Sequence, residues 1–384
     1  MSPRYGLFKL IADPVGIILE GKDCRDAEKI VGVILGKRNG GTACLQIIGL
    51  NLEEVEALVL ELGEPRYRAR QLLDWVYKKG IDDFGQMTNL PALFRHRLQA
   101  RGLTGGALTL AGAAEAADGT KKYLFRLPDD LCVEAVYIPE EKRKTVCFST
   151  QVGCAVGCAF CATGRQGFQR NLTAGEIVDQ VRRIGLDQQT RISHAVAMGQ
   201  GEPLANYAAT VKALRLLNAD YGLQMAARHL TISTSGVVPA IYRLADEGLQ
   251  LNLALSLHAT SDELRSQLIP LNRTYPLAQV LRACRDYAAK TKRRVTLEYI
   301  MLAGVNDGEA DLVRLVELAS GWLCHVNLIP YNPVPAAPYR PSPLQTRRRF
   351  LAFLSAHGVA ASIRQERGAE VNAACGQLRS HLKL

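Results

Sequence analysis

The sequence predicts an α/β fold: a partial, parallel (β/α)6 barrel with a small helical N-terminal domain and a β-hairpin extension. Three observations predict it. From Thr145 onward, short apolar stretches alternate with amphipathic ones, as βα units around a parallel sheet require. Between about residues 106 and 144 the apolar period is two, the mark of half-buried strands. Residues 45–105 instead carry helical periodicity and many cations.

The chain has 384 residues, enough for two or three domains, and its 48% apolar content supplies a sizeable core. No apolar run approaches the ~20 residues of a membrane helix, and the N-terminus does not read as a secretory signal. Ten scattered cysteines do not form the framework of a small secreted protein, so a reducing cytoplasm is expected. A net charge of +10 favours a polyanionic partner, for which nucleic acid is the usual candidate.

Residues 1–44 receive no assignment. Asn51 followed by Leu52-Glu53-Glu54 opens a helix with a capping residue and early acids. A second helix spans residues 66–80, with Tyr67, Leu72, Trp75 and Val76 as its apolar stripe and Gly80 to end it. A third covers Pro91 to Leu103. Arg66, Arg68, Arg70, Lys78, Lys79, Arg95 and Arg97 make this region either a solvated face or a nucleic-acid surface. Strands follow at residues 107–110, 122–127 and 131–138, with turns at Asp118-Gly119 and Asp129-Asp130. Glu134 shares a strand face with Cys132 and Val136, which marks either an edge residue or a tuned acid–base group.

Barrel strands are expected at residues 146–150, 195–198, 230–234, 251–257, 295–301 and 326–329. Helices fit at 174–184, 208–218, 239–247, 262–268, 277–289, 309–320 and 343–357. Thr173-x-x-Glu176 and Ser342-x-x-Gln345 read as capping boxes. The domain limits are thus 45–105 (helical), 106–144 (β extension), 145–366 (barrel) and 367–384 (C-terminal loop and tail).

Chemistry concentrates where the first barrel strand ends. Cys154, Cys158 and Cys161 stand at a C-x3-C-x2-C spacing among glycine and alanine. Small residues let the backbone wrap so that three sulfurs face one object. An iron–sulfur cluster with one open iron fits this spacing. A zinc site wants a fourth ligand, usually from a second pair that this chain lacks, and plain buried cysteines are the remaining reading. Other strand ends on the same rim are polar: Gly199-Gln200-Gly201-Glu202-Pro203, Ser233-Thr234-Ser235-Gly236, Ser256-Leu257-His258 and Tyr331-Asn332-Pro333. Catalytic groups of parallel barrels gather at that rim.

These stretches, with Asp118-Gly119-Thr120-Lys121-Lys122, Val133-Glu134-Ala135-Val136 and Asn372-Ala373-Ala374-Cys375-Gly376, resemble the RlmN/Cfr branch of the radical S-adenosylmethionine (SAM) RNA adenosine methyltransferases. The resemblance covers about residue 45 to the C-terminus. It implies that Cys154, Cys158 and Cys161 bind a [4Fe–4S] cluster. It implies that Gly201, Glu202, Ser233, Ser256, Leu257, His258 and Asn332 hold SAM, used twice per turnover. Cys375 would carry the methyl group, Glu134 accept a proton, and Cys147 resolve the product, leaving a Cys147–Cys375 disulfide. Gln200 stands where the family usually has methionine, and Thr150 where serine is common. Cys24, Cys44, Cys132, Cys284 and Cys324 read as ordinary cysteines.

The parts make chemical sense. C2 and C8 of adenine are electron-poor carbons that a SAM methyl group does not reach directly. A thiolate accepts the methyl group first, because thiolate is the good nucleophile. A 5′-deoxyadenosyl radical activates it, a base removes the ring proton, and a second thiol frees the product. The resemblance implies C2 methylation in the peptidyl-transferase centre of 23S rRNA and in tRNA beside the anticodon. It also implies an electron donor such as flavodoxin or ferredoxin, and a monomer away from membranes. The rivals are C8 methylation, a non-catalytic cluster- or zinc-containing RNA-binding protein, and a SAM-cleaving enzyme acting on a small molecule.

Overall fold

The computed structural model describes residues 46–335 and 337–378; residues 1–44 and their two cysteines lie outside them. Asn51 caps the first helix, α1 (Leu52–Glu61). It accepts from the Glu54 N–H, and Glu54 reaches back to the Asn51 N–H, both at 2.8 Å. Helix α2 (Tyr67–Leu73) runs into one π turn over Asp74–Lys78. Its buried stripe is Ala69, Leu72, Leu73 and Val76, spaced i, i+3, i+4, i+7. Tyr67 was expected in that stripe but is 57% exposed. It precedes Ala69 by two residues, about 200° around the helix. Helix α3 (Ala92–Ala100) buries Phe94 and Leu98.

The cations of this region are largely matched within the chain. Arg70 pairs with Asp220 at 3.2 Å, Lys78 with Asp74 at 2.6 Å, and Arg101 with Glu61. Arg97 donates to the Leu62 carbonyl at 2.6 Å. The sequence counts charges, but the fold decides which of them face outward unpaired.

Strands β1 (Thr109–Glu115), β2 (Lys121–Arg126) and β3 (Cys132–Pro139) form an antiparallel meander. β1 begins later than expected because the Asp179 carboxylate takes the N–H groups of Ala107 and Leu108, at 2.7 and 2.9 Å. β3 pairs with β4 (Lys144–Cys147), so the extension is a continuation of the barrel sheet rather than a separate hairpin. The expected strand 146–150 stops at Cys147. Side chains take over from there: Gln180 accepts from the Ser149 N–H at 2.8 Å, and Ser149 Oγ donates to the Glu134 carbonyl at 2.6 Å. β5 (Gln151–Gly153) then pairs with β6 (Phe168–Asn171) across α4 (Ala162–Gln166), making a small ribbon around the cysteine loop.

Helix α5 (Ala174–Asp187) carries the expected Thr173–Glu176 capping box. The remaining units run β7 (His194–Ala197), α6 (Tyr207–Asn218), β8 (Leu230–Thr234), α7 (Val238–Asp246), β9 (Asn252–Ser256), α8 (Asp262–Leu268), α9 (Leu277–Thr291), β10 (Val295–Met301), α10 (Glu309–Ala319), β11 (Cys324–Pro330), α11 (Leu344–Ala356) and β12 (Ala361–Ile363). The sheet has ten strands in the order β1-β2-β3-β4-β7-β8-β9-β10-β11-β12, parallel from β4 onward. β12 is a seventh parallel strand, and its three residues are too few to show a period. The capping box expected at Ser342 does not form. Ser342 is buried and donates to Asp307 at 2.6 Å, and α11 starts after Pro343 instead.

One apolar core joins the N-terminal helices to the barrel, from Ile47 through Tyr299 to Phe350. Arg182 stitches that junction, donating to Asp179 at 2.7 Å and to the Val76 carbonyl at 3.2 Å. Among the described residues, no helix is long and apolar enough to cross a membrane.

Candidate active site

The cysteine loop is wound tightly enough that side chains are excluded from its turns. A Cβ on Gly153, at φ +74°, would lie 1.8 Å from the Gly167 carbonyl oxygen, and one on Gly164 would lie 2.8 Å from the Cys158 nitrogen. Cys154, Cys158 and Cys161 consequently line one cavity of about 150 Å³. Burial pushes all three thiols up, Cys154 to about 12, while backbone N–H groups of Val156 and Gly157 at Cys154, and of Gly164 at Cys161, work the other way. No three Cys, His, Asp or Glu side chains among the described residues converge on a single metal ion.

The same cavity is lined by Gly201, Glu202, Ser233, Ser256 and His258. Glu202 is buried and ties two strand ends together. It accepts from the Leu204 N–H at 3.0 Å and from the Ser235 N–H at 2.7 Å. Burial pushes its carboxyl up, and these hydrogen bonds oppose the rise. His258 sits at φ +57° and accepts from the Ile300 N–H through Nδ1 at 3.1 Å. Its ring proton is therefore on Nε2. Burial, helped by Arg265, pushes it down to about 3, so the ring is neutral. Leu257 does not line the cavity, because its side chain lies in the main core. Asn332 lines the adjoining larger cavity of about 910 Å³ instead.

Cys161, Glu298, Arg364 and Cys375 line both cavities, so they adjoin. The loop carrying Cys375 is fastened beside the cysteine loop. Ala162 N–H donates to the Gly376 carbonyl at 2.7 Å, and Thr163 Oγ1 donates to the Leu378 carbonyl at 2.6 Å. Cys147 lines the larger cavity with Cys375. It packs with Val136, Ala373 and Leu378, and burial pushes its thiol up to about 12. Every described cysteine is a free thiol, so the implied Cys147–Cys375 disulfide is not formed here.

Glu134 lies beneath this loop, 0% exposed, with Lys122 Nζ 3.2 Å from its Oε1. It is not an edge residue. Its backbone is held from both sides: Gln200 Oε1 accepts from its N–H at 3.1 Å, and Ser149 Oγ donates to its carbonyl. Gln200, the departure from methionine, thus pins the strand that carries Glu134.

Three residues escape a reading from sequence. Arg265 is wholly buried and donates to the carbonyls of Ser235, Ser256 and Leu257 and to Asn272 Oδ1, at 2.7 to 3.1 Å. Its place in a polar Asp-Glu-Leu-Arg helix resembles an ordinary surface cation. Glu298, mid-strand in an apolar run, accepts from Asn327 at 2.8 Å, and burial pushes its carboxyl up. Arg364 follows β12, and its guanidinium is pushed up first by the Cys375 sulfur and then by Glu298 and Cys147. A charged residue inside an apolar run was the available signal for Glu298.

The chain is similar to known proteins over most of its length. A family described as the Radical SAM superfamily matches residues 148–316, and the ribosomal RNA large subunit methyltransferase N-terminal domain matches residues 45–102. A probable dual-specificity RNA methyltransferase RlmN of Symbiobacterium thermophilum is 51% identical over 86% of this chain and 90% of its own length. The dual-specificity RNA methyltransferase RlmN of Halorhodospira halophila is 46% identical over 88% of this chain and 94% of its own length. The crystal structure of a radical SAM methyltransferase from Sphaerobacter thermophilus superimposes with a TM-score of 0.84 at 47% identity, covering 87% of this chain and 99% of that one. On this likeness over nearly the whole described chain, the protein belongs to the RlmN family of radical SAM RNA methyltransferases.

Proposed function

We propose that this chain methylates C2 of an adenosine in 23S rRNA and in tRNA. The observation that carries the reading is the fastening of the Cys375 loop against the cysteine loop, with Cys147 in the same cavity. Family membership implies a [4Fe–4S] cluster and SAM. Cys154, Cys158 and Cys161 would hold the cluster, and three protein ligands leave one iron open. When bound, the cluster supplies the electron that cleaves SAM to start radical chemistry.

The chain's own residues do the rest. Glu202, Ser233, Ser256 and neutral His258 would hold SAM, with His258 offering its Nε2–H and Glu202 its carboxylate. Gly201 supplies close-fitting backbone there, and Asn332 approaches from the adjoining cavity. Cys375 accepts a methyl group as a thiolate, so one SAM serves as methyl source and a second as radical source. Glu134 accepts the proton lost from the adenine ring. Cys147 attacks the Cys375 sulfur, so that an S–S bond forms as the S–C bond breaks and the released carbon keeps the electron pair and takes up a proton. The electron comes from a carrier such as flavodoxin or ferredoxin.

The test is mass spectrometry of nucleosides from 23S rRNA and tRNA incubated anaerobically with reconstituted protein, SAM and reductant. 2-Methyladenosine is the expected product. 8-Methyladenosine would replace the C2 assignment, and cleaved SAM without methylated RNA would remove RNA as the substrate. Intact SAM with bound RNA would point to a non-catalytic role.

A further inference from the structure

We infer that Lys122 is a positioning residue that orients the Glu134 side chain and joins it to the loop carrying Cys375. The inference rests on the reading of Glu134 as proton acceptor. The strand register brings the groups together. Lys122 stands opposite Val136, and Val136 stands opposite Cys147, in consecutive antiparallel pairs. Residues directly opposite in such pairs project to the same face, and Glu134, two before Val136, projects there too. Lys122, Glu134 and Cys147 therefore share the face that the Cys375 loop covers.

The ion pair is nearly dry. Lys122 Nζ lies 3.2 Å from Glu134 Oε1, with side-chain exposures of 5% and 0%. A buried ion pair is weak evidence for stability, since apolar groups of the same volume often serve as well. Here the ammonium, 3.2 Å from Oε1, fixes where that carboxyl oxygen points. Lys122 Nζ also faces the Asn372 carbonyl at 3.5 Å, three residues before Cys375. The same loop meets the tip of the Lys122 hairpin: Gly368 N–H donates to Asp118 at 3.3 Å and Ala117 N–H to Glu370 at 3.2 Å. One ammonium thus touches both Glu134 and the loop. In the step concerned, the ring C–H bond breaks, its proton passes to the Glu134 carboxylate, and its electron pair stays with the ring.

The test compares Lys122→Met, Lys122→Arg and Glu134→Gln in the full reconstituted chain with SAM, reductant and a tRNA transcript. Peptide mass spectrometry reads methylation of Cys375, a denaturing gel reads the covalent Cys375–RNA adduct, and nucleoside analysis reads product. Lys122→Met is expected to methylate Cys375 as the parent does, accumulate adduct, and lose product about 10²-fold. Lys122→Arg is expected to recover much of that product. In protein without its cluster, Lys122→Met is expected to speed alkylation of Cys375, since the loop loses a contact. Parental product formation by Lys122→Met overturns the inference, and so does a parallel fall in Cys375 methylation, which marks a structural role only. If Glu134→Gln stalls at adduct while Lys122→Met does not, only the Lys122 inference fails. If Glu134→Gln turns over normally, the reading of Glu134 itself fails.

Discussion

Ala162 donates its backbone N–H to the carbonyl of Gly376 at 2.7 Å, so the residue after the last loop cysteine is bonded to the residue after Cys375. Two segments more than 200 residues apart in sequence are thereby held in register. Thr163 adds a second tie, through Leu378 at 2.6 Å. Replacing Thr163 by Val removes that tie and keeps the shape. One buried hydrogen bond is worth about 1 kcal/mol, so Cys375 should react with iodoacetamide about fivefold faster in the variant. Unchanged labelling would show that the loop is held elsewhere.

The three loop cysteines are expected to differ sharply from the core ones. Cys158→Ala should abolish iron retention after anaerobic reconstitution, together with SAM cleavage. Cys284→Ala, a fully buried core position, should keep its iron and lose about 1 kcal/mol of stability. Iron analysis and denaturant titration of the two variants check both halves.

Arg265 holds four acceptors behind the strand ends proposed to hold SAM. Hydrogen bonds from a charged donor each contribute about 1.5–3 kcal/mol. Arg265→Met should therefore destabilise the fold by roughly 3 kcal/mol or more and weaken SAM binding, because Ser235 and Ser256 lose their anchor. Full SAM affinity in a folded Arg265→Met protein would contradict this account. Equilibrium dialysis against SAM provides the measurement.

His258 gives the protein an acid-sensitive stability. Its folded-state value of about 3 lies below the ordinary 6.5, so the unfolded chain binds more protons between those limits. The stability this contributes is complete above pH 6.5 and declines as pH falls toward 3. The slope approaches about 1.4 kcal/mol per pH unit. Urea titrations at pH 7 and pH 5 should show the loss, and His258→Gln should flatten it. Equal slopes in both proteins would assign the acid sensitivity to other groups.

The sequence by itself determined the βα alternation, the cysteine spacing and the polar strand ends, because each is a local pattern. A run of five apolar residues makes a strand, a Thr-x-x-Glu makes a cap, and glycines beside cysteines make a tight loop wherever they occur. Local patterns also set its errors. Tyr67 looked periodic but falls outside the stripe by two residues, and Ser342 looked like a cap but found Asp307 first. The short β12 had no period to show. Glu134 was visible as a carboxylate on a strand, with its role supplied by resemblance. Its burial, its Lys122 partner and its cover were not visible, since they depend on which strand lies beside which. Only the tertiary structure decided that Lys122, Glu134 and Cys147 share a face, that Arg265 serves three strand-end carbonyls, and that most N-terminal cations are matched in place. The reason is physical: a charge is solvated or paired according to what folds over it, and that comes from residues far away in sequence.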